Sequence, residues 1–127
     1  MRTETRTVRI GENMGPIDWT YDFRSHFNNY GCSDAGRGES CERAKARLRL
    51  IEEHFREKKK VFATNYGGSP RCGIHLVVDI GMYDGWPWWR PVPAVQVRTY
   101  LGHEWYTFDG ITDIYSEEQG LHTAIRV

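Results

Sequence analysis

Cys41, Ala44, Leu48, Ile51 and Phe55 recur at intervals of three and four residues. That spacing places all five on one stripe of an α-helix, and a helix with one apolar stripe must find a surface to bury it. The flanks agree with a helix over about residues 40–59. Ser40 can cap its start, and Glu39 and Glu42 suit the positive end of the helix dipole. Lys58, Lys59 and Lys60 suit its negative end, and Glu52 precedes Arg56 by one turn in the favourable order.

Beyond the helix the apolar period changes from about 3.6 to two. Val61 to Tyr66 reads as a strand, closed by Gly67-Gly68-Ser69-Pro70. In Gly73 to Ile80, Ile74, Leu76, Val78 and Ile80 alternate with His75, Val77 and Asp79, so the first set is expected to face the core. Val95, Val97, Thr99 and Leu101 define a further strand face. Gly102-His103 fits a two-residue turn leading into Glu104 to Phe108 as a hairpin. Asp109-Gly110 is another turn signal, and Leu121 to Val127 is expected to close the sheet with Leu121, Thr123, Ile125 and Val127 inward.

Before the helix, Thr3 to Ile10 has strand composition. Trp19, Tyr21 and Phe23 fit strand alternation, whereas Trp19, Phe23 and Phe27 fit helical spacing, and both readings stay open. The expectation is an α+β chain: a mostly antiparallel sheet of about five strands with one long amphipathic helix packed on one face. The 127 residues suffice for a single domain spanning 1–127.

Composition narrows the classes of function. The formal net charge is zero, so no global field argues for nucleic acid or for a membrane surface. Thirteen of the 17 cations are Arg, whose planar fork suits carboxylates, phosphates and aromatic faces. The first residues hold no apolar stretch resembling a signal-peptide core, and no run approaches the ~20 apolar residues of a membrane span. A cytoplasmic protein with reduced thiols is expected. Its three cysteines, Cys32, Cys41 and Cys72, are an odd number for a disulfide framework.

The most distinctive local feature is Met82-Tyr-Asp-Gly-Trp-Pro-Trp-Trp-Arg-Pro-Val-Pro93. Proline cannot donate to a β ladder, so this stretch is expected to be a rigid connection or an edge and not a central strand. Tyr83, Trp86, Trp88, Trp89 and Arg90, joined by Arg98 and Tyr100, have the residue types that dominate protein–protein contacts. The structural alternative is that the rings cap one end of a small core. If they form an interface, Trp88→Ala or Trp89→Ala weakens association and leaves folding intact. A different class of function uses the same rings to stack on a base, with Arg71, Arg90 or Arg98 on phosphate.

Other constellations are weaker. Cys72 and His75 have zinc-knuckle spacing, but Cys32 and Cys41 are too far apart in sequence to complete it, so neither a metal nor another cofactor is expected. The basic run Arg43 to Lys60 could lie along phosphates or form a solvated helix face. Gly67 to Arg71 leads into a strand, unlike a phosphate loop, which leads into a helix. His75, His103, Asp79, Asp109 and Asp113 are available for acid–base chemistry, with His103 and Asp109 expected to approach each other if one hairpin carries both. No nucleophile elbow, zinc-protease helix or nucleotide fingerprint accompanies them. The residues therefore favour a non-enzymatic accessory or inhibitor-type binding protein, of the kind phages and mobile elements encode, acting on a protein partner. A nucleotide or nucleic-acid binder and a small His/Asp enzyme are the alternatives, and a homo-oligomer is compatible with each.

Overall fold

The computed structural model describes residues 12–23, 37–65, 73–84 and 90–127. Its elements are β1 (Glu12–Asn13), α1 (Arg37–Arg56), β2 (Val61–Asn65), β3 (His75–Asp84), β4 (Val92–Thr99), β5 (Gly102–Thr107), a 3-10 turn (Phe108–Gly110) and β6 (Ile111–Ser116). The strands pair antiparallel in the order β5-β4-β3-β2-β6, with the short β1 added beside the C-terminal end of β3. The helix packs on one face, so the α+β architecture is that expected. Thr3 to Ile10 lies outside the described residues.

The helical stripe buries as its spacing requires. Ala44, Leu48 and Ile51 are essentially inaccessible, while Phe55 at the end of the stripe is exposed. Full burial of a Leu or Ile side chain stabilises by about 1.5–3 kcal/mol. They meet Val61 and Ala63 of β2, Val77 of β3, Val95 and Val97 of β4, and Ile111 and Ile114 of β6. The helix starts three residues before Ser40, which therefore sits inside it and not at the N-cap.

The helix ends at Arg56 because the chain turns left-handed at Lys58, with φ +63°. The Lys59 N–H donates to the His54 carbonyl at 2.9 Å and the Lys58 N–H to the Phe55 carbonyl at 3.1 Å. This is a Schellman ending with lysine where glycine is usual. Lys58→Gly removes the Cβ penalty of that backbone conformation. It is expected to raise stability by about 1 kcal/mol, measured as a higher urea midpoint at unchanged slope.

Three strand expectations change. On β3 the helix-facing residues are Val77 and Ile80, not Ile74, Leu76 and Val78. Val77 pairs Val97 and Ile80 pairs Val95, with a register shift between Val77 and Asp79. A bulge at Val78 explains the spacing of three, since one extra residue reverses the faces beyond it. Ile74 precedes the strand and is exposed. The run Leu-Val-Val-Asp-Ile is apolar in either register, so alternation alone could not choose.

The proline-rich stretch is the second. Pro93 is fully buried inside β4, a strand paired on both sides. The reason lies in the ladder. Met82, its partner on β3, donates to the Gly15 carbonyl at 2.9 Å and accepts from the Met14 N–H at 2.7 Å. Both main-chain groups of Met82 thus point toward β1, and the Met82/Pro93 pair is of the non-hydrogen-bonded kind. The donor that Pro93 lacks would face the β5 side, where pairing has already ended at Ala94/Thr107.

The third concerns the chain's last strands. The β4–β5 hairpin forms, but its turn is Tyr100-Leu101, with Gly102 (φ +116°) already paired to Thr99. The buried Thr99 hydroxyl holds this turn, donating to the Gly102 carbonyl at 3.0 Å and accepting from the Leu101 N–H at 3.1 Å. Leu101 is consequently exposed. The closing edge strand is β6, whose buried Ile111 and Ile114 are three apart across a bulge opposite Thr64/Asn65. Leu121 to Val127 is irregular, with Leu121 and Val127 exposed, and touches β6 through the Ile125 N–H to the Ile114 carbonyl at 2.8 Å.

Candidate functional site

Strand pairing decides which side chains share the face turned away from α1. Tyr115 pairs Phe62, Phe62 pairs Leu76, Leu76 pairs Arg98, and Arg98 pairs His103. Directly opposite residues point to the same side of a sheet. These five therefore form one row across five strands, roughly 19 Å long at ~4.8 Å per strand. Phe62, Leu76 and Tyr115 are half-buried, and Arg98 and His103 are exposed.

A second row on this face runs Asp79, Gln96, Trp105. Tyr83 stands two pairs further along and stacks on Trp105, with ring centroids 5.2 Å apart and planes 21° from parallel. Between them lie Gly81 and Ala94, paired with each other and too small to separate the rings. Such a pair contributes about 0.5–1.5 kcal/mol beyond the area it buries. Burial raises the Tyr83 phenol above its ordinary pKa, and the Glu104 carboxylate adds to that. The Trp105 Nε1 is buried and finds no acceptor among the described residues.

The expected site residues divide among three places. Tyr83 and Arg98 share the face away from the helix, but six residues of β4, about 20 Å, separate Arg98 from Val92, the partner of Tyr83. Tyr100 is two-thirds exposed at the tip of the β4–β5 turn. Arg90 turns elsewhere: its guanidinium lies over the Tyr21 ring at 5.5 Å and donates to the Tyr21 hydroxyl at 3.3 Å. Trp86, Trp88, Trp89 and Arg71 lie outside the described residues. Phe62, Leu76, Trp105 and Tyr115, which complete the face, carry no motif. Only the register, which local sequence does not encode, reveals them.

Residues 17–22 form turns and bends, not a strand, and Phe23 is helical; Phe27 and Tyr30 lie outside the described residues. The Asp18 carboxylate accepts from the Thr20 N–H at 2.9 Å and from its hydroxyl, which lowers the Asp18 pKa. Trp19 and Phe23 stack at 6.0 Å, and Phe23 meets Phe108 edge-on at 4.8 Å. The basic helix residues separate accordingly. Arg49 covers Trp19 at 4.2 Å and Lys45 covers Phe23 at 5.3 Å, whereas Arg56 pairs with Glu52 at 3.7 Å. The run does not form one cationic stripe.

His103 lies near the start of β5 and Asp109 in the 3-10 turn beyond its end, so the roughly 13 Å of strand from His103 to Thr107 lies between them. Asp109 instead accepts from the Thr107 hydroxyl at 2.7 Å. His75 shares the helix side with Ala63, its pair on β2, and not the outward face, and its Nε2 accepts from the Gly73 N–H at 3.3 Å. Cys32 and Cys72 lie outside the described residues, and among those described no three His, Cys, Asp or Glu side chains group as metal ligands. Among the same residues no helix is long and apolar enough to cross a membrane. Comparison with protein-family models, curated proteins and solved structures returned no match.

Proposed function

We propose that this is a non-enzymatic binding protein of the accessory or inhibitor type, engaging a protein partner through the face of its sheet turned away from α1. The observation that carries the reading is the row Tyr115, Phe62, Leu76, Arg98, His103 with the Tyr83/Trp105 stack beside it. Aromatic side chains and Arg are enriched in protein interfaces, and hot spots cluster where such groups sit together on a rigid scaffold. A paired sheet is such a scaffold. Because the rings are already packed on one another or on the strands, little side-chain freedom is lost when they are covered.

The test is a capture experiment with matched variants. The immobilised protein is exposed to lysate of its native cell, and retained proteins are quantified. Arg98→Glu and Tyr115→Ala are expected to weaken retention of the same protein tenfold or more while shifting the melting temperature by only a few degrees. Arg56→Gln, on the far side of α1, is expected to leave it unchanged. Equal retention by all four proteins contradicts the proposal. A concentration-dependent dimer abolished by Arg98→Glu would make the occupant a second copy of this chain.

A further inference from the structure

Beyond the sheet face, a cleft of about 570 Å³ opens between α1, the edge strand β6 and the irregular C-terminal segment. Arg43 and Arg47 reach it from successive turns of α1, and Arg126 and His122 reach it from the C-terminal segment. Thr112 and Thr123 add hydroxyls, Asp113 adds a side-chain carboxylate, and Val127 also lines the cleft. Arg43, Arg47 and Arg126 therefore line one cleft together with Asp113 and Val127.

From this geometry we propose that the cleft is a binding site for a phosphate-bearing small molecule, with Arg43, Arg47 and Arg126 holding the phosphate oxygens. The volume falls in the range of small-molecule sites, about 300–1,000 Å³. Guanidinium forks match phosphate oxygens two at a time, which favours a multiply charged oxyanion over a single carboxylate. Arg47 supplies a separate observation: its Nε is buried without a hydrogen-bond partner among the described residues. A buried donor left unsatisfied costs about 1–3 kcal/mol, and a turn of the Arg47 side chain toward an oxyanion in the cleft would give it an acceptor. Burial lowers the Arg47 pKa, Asp113 opposes that and Arg43 adds to it, so added negative charge relieves the guanidinium here.

The site is distinct from the sheet face, so either can fail without the other. Binding is measured by titration calorimetry on the full chain with inorganic pyrophosphate, ADP and adenosine at low and ~0.2 M salt. Pyrophosphate is expected to bind and to weaken as salt rises, because the contacts are largely ionic. Arg43→Gln and Arg126→Gln are each expected to weaken binding about tenfold or more, with Arg56→Gln as an unaffected control. ADP binding more tightly than pyrophosphate supports a nucleotide occupant, and equal affinities support a site that reads phosphate alone. The proposal is overturned if pyrophosphate gives no binding at millimolar concentration, if Arg43→Gln and Arg126→Gln bind as the wild type does, or if adenosine matches ADP.

Discussion

Phe108→Ala is expected to lose about 3–5 kcal/mol of stability, more than any other substitution considered. Phe108 is completely buried in the 3-10 turn between β5 and β6. It is where the segment before α1 meets the sheet: Phe23 lies edge-on at 4.8 Å and Tyr21 at 6.0 Å. Removing the ring loses its transfer free energy and leaves a cavity, because turns at both strand ends limit how far the neighbours can collapse. Against a typical total of 5–15 kcal/mol, such a loss moves the melting temperature by roughly 10–20 °C. Phe55→Ala, at an exposed position of α1, is the control and is expected to cost less than about 1 kcal/mol. Urea unfolding of both variants with unchanged slope measures the difference. Near-equal losses would show that the aromatic cluster does not anchor residues 17–23 to the sheet.

Gly81→Ala is the second large effect, and it arises from crowding instead of a void. A Cβ at this position would lie 2.5 Å from the Gly15 carbonyl oxygen, 2.7 Å from Asn13 Cγ and closer still to Asn13 Oδ1. Asn13 is not free to move aside. Its amide donates to Asp79 Oδ2 at 3.0 Å and to the Ile80 carbonyl at 3.2 Å, and its Oδ1 accepts from the Gly15 N–H at 2.8 Å. The added methyl must push β1 off β3 and break these bonds, a loss of about 2–3 kcal/mol. Combining it with Asn13→Gly is expected to recover part of the loss and not all, since the Gly15 carbonyl still obstructs. A double-mutant cycle reads that coupling directly. Strict additivity would mean that the two residues do not meet.

The helix was legible because a stripe of period 3.6 allows one buried face, and Ala44, Leu48 and Ile51 occupy it. The sheet was legible in kind but not in register. Leu76, Val77, Val78 and Ile80 satisfy both alternations, and the bulge at Val78 depends on pairing with Gln96 and Val97 on another strand. For the same reason Ile111 and Ile114, three apart, do not announce β6. The proline rule misplaced Pro93 because its cost depends on which side the missing donor faces, which only the Met82 hydrogen bonds reveal. Tyr83 and Arg98 were visible as candidates by residue type. Their neighbours Phe62, Leu76, Trp105 and Tyr115 come from four strands, and no local pattern links them. The Arg43, Arg47, Arg126 cleft is hidden likewise, since it joins positions more than 70 residues apart in the chain.

The most direct measurement of the binding proposal is side-chain footprinting by hydroxyl radicals, comparing the free protein with its complex with the captured partner. Phe62, Tyr83, Trp105 and Tyr115 are expected to lose reactivity together in the complex, while Phe55 and Leu121, exposed on other parts of the surface, keep theirs. Protection of Phe55 or Leu121 with the four sheet residues unchanged would contradict the proposal and place the partner elsewhere on the molecule.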